Sequence, residues 1–571
     1  MIRPPGRIRS LHAGDNPPPP PGERAVLAAE YLRLVADLNR LNSGILWWAG
    51  PLASKNPFDS SLFEDLVGDI FRDLPESRKT GGAHPVAVAG NLPVDEGVHQ
   101  GPAGDLVGFR DALREQGFRL AFLAKGIVCS GYFFLISCYK MCIARAFLGR
   151  RIRRAIREPG PVDVLRSWID HRSFDPEGRY TDVYLGELPT YLAESRKVAI
   201  VAEIVWTSSY LGVVRLIRRK DREVPIIPQE YFLTLGDLVR AAVLPFTGGP
   251  ARTEGAVFRG RNVSPLVERA VRSDRASPQI RNNLAIHYLT RRLVRKMAVA
   301  RFTYSFENHA YEKMMILALR EGTPEAWITG YQHGGLSRML FNYFLAEGEA
   351  DFVPLPDRII TTGEESRRIL VEEGHFPVVC VEAGCALRYR YLEGLPVREQ
   401  RRNGVLFVPL PVDMEAARAV LSMLVEAVGG SPAYTAKVTS HPLVAWEDVT
   451  GRGGGRDLPP NILRVEGETT RDLLLSSDIV LYTQTTTCIE ALRLGIPVVY
   501  LDVFTIYDAD YIMKDIAFRW VADGPESLRR VLSEIHGLGD ADFAARQDEG
   551  VAYARSFFAP VDEDSLRKFA S

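Results

Sequence analysis

Paired cysteines, net charge and long apolar runs are all scarce in this sequence, and each scarcity excludes something. The six cysteines are Cys129, Cys138, Cys142, Cys380, Cys385 and Cys488. None forms a Cys-x-x-Cys pair or a Cys/His cluster with zinc spacing, which excludes a zinc ribbon and a thioredoxin-like redox motif. Reduced thiols in a cytosolic protein are the simplest reading. The formal net charge is -1, so no global field favours nucleic acid or an anionic surface, no nucleic-acid partner is expected, and any basic function has to be local. The start, MIRPPGRIRSLHAGDNPPPPPGE, contains no apolar core, so a signal peptide is not expected. Residues 1–22 are Pro-rich and expected to be disordered. A bilayer-spanning run is missing too: GIVCSGYFFLISCY (126–139) is 14 uncharged residues between Lys125 and Lys140, short of the roughly 20 that a crossing helix needs.

That short run is followed by RAFLGRRIRRAIR (145–157), with six arginines. A buried helix with a solvated basic face is one reading. The other is a peripheral contact with the cytoplasmic face of the inner membrane through residues 126–157.

What is present is ordinary for a soluble globular chain, with 46% hydrophobic and 25% charged residues. A length of 571 residues exceeds one core, so two domains are expected. ERAVLAAEYLRLVADLNRLN (23–42) has the apolar spacing of a helix. SGILWWAG (43–50), HPVAVAG (84–90), KVAIVAEIVW (197–206), FTYSFE (302–307) and AWITGYQ (326–332) read as strands with helical text between them. The second half repeats the alternation in GVLFVPLP (404–411), a helix over 413–430, YTAKVTSHP (434–442), NILRVEG (461–467), DIVLYT (478–483) and PVVYLD (497–502). Alternation of this kind indicates an α/β fold of parallel sheets. The expected plan is a tail over 1–22, an acceptor-binding domain over 23–395 with a helical insertion at about 105–160, and a nucleotide-sugar-binding domain over 396–571. RYLEGLPVREQRRNG (390–404) is the linker. Two such Rossmann-like domains face a cleft, and ligands bind beyond the carboxyl ends of the strands.

The strand ends carry the candidate chemistry. VLYTQTTTCIEALRLG (480–495) runs from a strand into a helix through Thr483, Thr485, Thr486 and Thr487. One threonine suffices to cap a helix; several hydroxyls beside free N–H groups suit a phosphate. Glu490 can face a ribose hydroxyl or solvent. The strand of Lys437 ends at His441, and Pro442 stops it and fixes the imidazole at its tip, where it could donate to a phosphate oxygen. In the first half, Glu307, Asn308 and His309 sit where a strand becomes a helix, and a second strand ends in Gln332-His333-Gly334-Gly335, followed by Ser337 and Arg338. The glycines permit close approach of a ligand, and Arg338 can meet phosphate or an acidic substrate. SWIDHRSFDPEGRYTDVYLGEL (167–188) adds Asp175 and Glu177 in a turn. Asp175, Glu177 and Glu307, with His333, are the catalytic candidates.

The His-Pro strand end at 441–442, the hydroxyls at 485–487 and EALRLGIPVV together resemble the nucleotide domain of GT-B glycosyltransferases, and more narrowly bacterial transferases of CMP-activated acidic sugars, the sialyltransferases and Kdo transferases of capsule and lipopolysaccharide assembly. ENHAYEKMMILALRE, ITGYQHGG and LWWAGPLASKNPF also resemble surface-carbohydrate biosynthesis proteins. The resemblance implies that His441, Thr485, Thr486 and Thr487 hold the cytidine nucleotide. It implies transfer of Kdo or another nonulosonic acid from a CMP-sugar to a glycan or lipid-linked glycan. The acidic motif of sialyltransferases is matched only by DPEG. No Asp-x-Asp-type pair asks for a divalent ion, and helix N–H groups with basic side chains can hold the phosphate charge, so neither metal nor cofactor is required. A CDP-glycerol-type phosphotransferase, a UDP-sugar enzyme of the same fold, and a non-catalytic glycan-binding or scaffold protein are the alternatives.

Overall fold

The computed structural model describes residues 21–72, 103–219, 224–398, 404–450, 458–504 and 506–570. Most of the Pro-rich start and the strand candidate at 84–90 lie outside the described residues.

The first half contains β1 (Val162–Ile169), β2 (Val198–Ile204) and β3 (Ile226–Pro228). A short antiparallel pair follows, β4 (Val257–Phe258) and β5 (Arg261–Asn262). Then come β6 (Val299–Ser305), β7 (Trp327–Tyr331), β8 (Arg358–Thr361) and β9 (Val381–Ala383). Seven of these form one parallel sheet in the order β3-β2-β1-β6-β7-β8-β9. The second half contains β10 (Val405–Pro409), β11 (Thr435–Thr439), β12 (Ile462–Arg464), β13 (Ile479–Tyr482), β14 (Val498–Leu501) and β15 (Arg519–Ala522), a six-stranded parallel sheet ordered β12-β11-β10-β13-β14-β15. Central strands such as VAIVAEI and IVLY are buried on both faces. Helices cover a parallel sheet from both sides, which is why these runs are almost continuously apolar.

In both sheets the strand order reverses at one place, between β1 and β6 in the first and between β10 and β13 in the second. A crevice opens at the carboxyl ends at such a switch point. The loops after β6 and after β13 are the ones that carry Glu307–His309 and Thr485–Thr487.

Several expectations are corrected. SGILWWAG is a short helix, Ile45–Trp48, not a strand. Its apolar run packs on the first half, with the Trp47 indole donating to Asn39 Oδ1 at 2.9 Å, and so short a run fits a buried helical turn as well as a strand. The segment 126–139 belongs to one continuous helix, Ala103–Arg157, which is long and apolar enough to cross a membrane. The second half does not close on its own sheet: the Ala386 N–H donates to Ala559 O at 3.0 Å, the Ala559 N–H donates to Thr362 O at 2.9 Å, and the Phe569 ring meets Tyr331 at 5.5 Å. The last stretch of chain has returned to the first domain.

Candidate active site

Strand β6 ends at Ser305, and the next four residues turn sharply. Asn308 takes φ 57°, a left-handed conformation that Asn accepts more readily than most residues. What holds it is a carboxylate one helical turn on. Glu312 accepts the N–H groups of Glu307 (3.0 Å), Asn308 (2.9 Å) and His309 (3.2 Å). The Asn308 side chain is consumed by the same scaffold: it donates to Asn342 O at 2.7 Å and accepts from Lys313 Nζ at 3.0 Å.

The fixed turn presents an ionic cluster. Glu307 Oε2 lies 3.1 Å from His309 Nε2, and Glu307 Oε1 lies 3.7 Å from His333 Nε2. Asn56 Nδ2 is 3.3 Å and Asp59 Oδ2 3.9 Å from His309 Nδ1. The Arg166 guanidinium, sandwiched 4.9 Å from Trp168 and 4.8 Å from Tyr311, adds positive charge nearby. Burial alone would raise the Glu307 pKa, but the His309 hydrogen bond and charge, with His333 and Arg166, bring it down to about 2. Burial alone would lower that of His309, yet Glu307, Asp59 and Glu312 lift it to about 9. These two therefore form an ion pair at neutral pH. His333 is different. Burial between Trp168 (5.9 Å) and Tyr184 (5.1 Å, edge-on) takes its pKa down to about 4 against the opposing pull of Glu307. It is a neutral imidazole with a buried Nδ1 that has no hydrogen-bond partner among the described residues. The exposures are ordered: Glu307 31%, His309 20%, His333 4%. The carboxylate thus meets the cleft and His333 stands behind it.

Across the cleft, Thr486 starts the helix Thr487–Arg493 without a capping hydrogen bond from its side chain. Its hydroxyl instead accepts from the Tyr389 hydroxyl at 3.3 Å. Thr485 Oγ1 accepts the Thr487 N–H at 3.3 Å and lies 3.0 Å from Thr487 Oγ1. Thr483 is buried, and its hydroxyl has no partner among the described residues. Gly495, at φ 72°, ends the helix. The halves touch here. A Cβ on Gly335 would fall 2.5 Å from Thr486 Cγ2 and 2.2 Å from Tyr511 Cδ1, so only glycine lets the two turns approach this closely.

The other predicted residues are placed as follows. Gly334 has open space around it. Gln332 is fully buried, with Oε1 accepting the Thr362 N–H at 3.3 Å, so it braces the turn. Arg338 bridges the halves, bonding Glu373 at 2.9 Å, Asp508 at 3.3 Å and Met513 O at 3.3 Å. Glu490 is buried and accepts from the Tyr391 hydroxyl, and burial raises its pKa. That makes it an anchor for the interdomain segment. Asp175 and Glu177 stand in an exposed turn, where Asp175 pairs with Arg179 at 3.2 Å and Glu177 lies 3.9 Å from the same arginine; no contact joins them to Glu307. His441 follows β11, its Nδ1 accepting the Leu443 N–H at 3.2 Å, and burial lowers its pKa. Lys437 donates to Ser476 Oγ at 3.0 Å. Two βα units separate β11 from β13 in the chain, and β10 lies between them in the sheet. At about 4.8 Å per strand, His441-Pro442 begins roughly 10 Å to one side of the threonine turn.

Sequence reasoning missed Trp168, Tyr184, Arg388, Tyr389 and Tyr511. Arg388 stands between the halves, 5.6 Å from the Tyr184 ring and 5.7 Å from that of Tyr389. Arg388 and Tyr389 lie just ahead of the expected linker at 390–404, in text with no strand or helix pattern of its own, so nothing but their basic and aromatic character marked them.

No family model and no curated protein matches the sequence. Solved structures do. One is a glycotransferase of kitacinnamycin, at 13% identity, over 72% of this chain and 98% of that one, TM-score 0.41. Another is the glycosyltransferase SnogD from Streptomyces nogalater, at 14% identity, over 72% and 100%, TM-score 0.36. A third is the UDP-GlcNAc 2-epimerase from Neisseria meningitidis bound to UDP-GlcNAc, at 11% identity, over 69% and 97%, TM-score 0.39. These likenesses are of outline only. The two parallel α/β halves facing one cleft rest on the strand orders and interdomain contacts above.

Proposed function

We propose that this cleft transfers a glycosyl group from a nucleotide-sugar to a hydroxyl of a growing surface glycan. The observation that carries the reading is the meeting of two switch points. An ionised carboxylate backed by a neutral histidine ends one sheet, and a hydroxyl turn at a helix start ends the other, with Gly335 against Thr486 between them. The nucleotide phosphates sit on Thr485–Thr487, with Arg388 offsetting their charge. Glu307 is too weakly basic to keep a proton. It meets the acceptor hydroxyl and stabilises positive charge at the anomeric carbon, while neutral His333 relays the acceptor's proton on to solvent as the nucleotide leaves. The finer reading is a CMP-activated acidic sugar, supported by the His441-Pro442 and threonine resemblance. Its test is nucleotide release with and without glycan acceptor from CMP-Kdo, CMP-sialic-type sugars, UDP-sugars and CDP-glycerol. CMP release that needs acceptor and falls on His441→Ala supports it. Turnover of UDP-sugars alone overturns the cytidine assignment and keeps glycosyl transfer. Failure to bind any nucleotide overturns both and favours a scaffold.

A further inference from the structure

The helix Ala103–Arg157, whose side chains are described from Gly117 onward, has two unlike faces. One is docked on the first domain. Phe133, Met141, Ala144, Leu148 and Ile152 are buried there. Polar contacts fix the same face: Lys140 to Glu230 at 3.4 Å, Arg281 Nε to Ser130 Oγ at 2.6 Å, Arg281 Nη2 to Gly126 O at 3.0 Å, and Ser130 Oγ to Ala242 O at 3.1 Å. A helix held this way along its length does not cross a bilayer, despite sufficient apolar length, because lipid would have to replace those partners.

The opposite face is bare. Leu120 is 67% exposed, Val128 70% and Leu135 69%, with Ile127 and Tyr139 also exposed. They recur at helical spacing over roughly 30 Å at 1.5 Å per residue. A second helix, Leu235–Thr247, lies alongside and widens the face with Leu235, Val239, Val243 and Phe246. The two are in contact: a Cβ on Gly126 would meet the Phe246 ring at 2.8 Å. The exposed stripe of the long helix then continues, in steps of three and four, through Cys142 and Ala146 into Arg150, Arg153 and Arg157.

We propose that this two-helix face is a docking surface for an anionic lipid bilayer. Patches this apolar mark interaction sites. The charge decides the occupant: the stripe passes directly into exposed arginines, an arrangement that seats apolar side chains at the acyl boundary and cations among anionic headgroups. The surface is remote in chemistry from the cleft and does not rest on the proposed reaction.

The test is sedimentation of the full chain with vesicles of phosphatidylcholine, with and without phosphatidylglycerol. Binding to the phosphatidylglycerol vesicles, weaker at high salt, is expected. Replacing Arg150, Arg153 and Arg157 by Gln costs about fivefold in partitioning per residue, and Val128→Glu with Leu135→Glu and Val239→Glu abolishes it. All six sites are exposed, so a melting curve close to that of the parent is expected of each variant. A parent chain that stays in the supernatant overturns the proposal. So does a lipid-free dimer by analytical ultracentrifugation that the glutamate variant dissociates, which makes the face a copy-to-copy interface.

Discussion

Replacing Glu307 by Gln keeps its shape and removes its charge, and the consequence can be worked through. His309 is held at a pKa of about 9 against an ordinary 6.5, a difference equivalent to about 3 kcal/mol in favour of the imidazolium. The hydrogen bond and charge of Glu307 are the leading causes of the rise, acting against burial. Without them only Asp59, at 3.9 Å, and Glu312 still favour the charged ring. The His309 pKa in Glu307→Gln is therefore expected to fall to about 6.5 or below. Stability follows the same linkage. The His309 contribution is complete below pH 6.5 and is lost as pH rises toward 9; that of Glu307 is complete above pH 4.5 and is lost as pH falls toward 2. Both are complete only between pH 4.5 and 6.5, and they report one ion pair. The parent should lose stability from pH 6.5 to 9, and the variant should not. Histidine-selective NMR titration reads the pKa and urea midpoints read the stability. A variant in which His309 still titrates above pH 8 refutes the ion-pair account of this cluster.

His333→Gln should lower kcat by about 10²–10⁴ with donor KM little changed, the range for a positioned acid–base group; equal turnover removes it from the proton path. Because burial holds the His333 pKa at about 4, the acid limb of the parent's activity should appear below pH 5. A limb centred at 6.5 would mean an ordinary exposed imidazole. Thr485→Val should raise donor KM by about ten- to a hundredfold, the worth of one hydrogen bond to a charged group, without changing the far-UV spectrum. Gly335→Ala places a carbon within 2.2 Å of Tyr511; donor affinity should drop while thermal unfolding changes little, and unchanged affinity would show that the halves need not approach so closely.

VAIVAEI and IVLY were legible as strands because they are almost continuously apolar, whereas β3, β8, β9 and β15, each three or four residues long, were not read from the sequence. β1 was not seen. Its VDVLRSWI is interrupted by Asp163, Arg166 and Ser167, all buried, and a strand with a buried arginine does not look like a strand. Arg166 is tolerated there because Glu203 pairs with it and two rings stack on it. Glu307, His309, His333 and the threonines were readable because they follow apolar runs directly, where any parallel sheet presents its ligand-facing loops. Arg338 and Gln332 look the same in sequence and turn out to be occupied by partners. Polar residue type and strand-end position locate a crevice; only three-dimensional partners separate the side chains that brace it from those that face it. The strand order, which moves His441 two strands from Thr485, depends on pairings between segments distant in sequence.

The interdomain segment joins the strand ends of the two sheets directly. Tyr389 reaches the Thr486 hydroxyl, Tyr391 reaches Glu490, and the Leu387 N–H donates to the Tyr331 hydroxyl at 2.9 Å at the end of β7. Three residues of one short turn therefore touch the hydroxyl turn of the second sheet and the strand that precedes His333 in the first. Arg338 and the returning C-terminal chain add contacts at other points around the cleft. A segment bonded to both strand-end regions ties the placement of the Thr486 turn to that of β7 and the loop after it. Under the proposed glycosyl transfer, a donor seated by its phosphate end on the threonine turn would bring its anomeric carbon to Glu307 in a fixed place, which limits loss of the sugar to water.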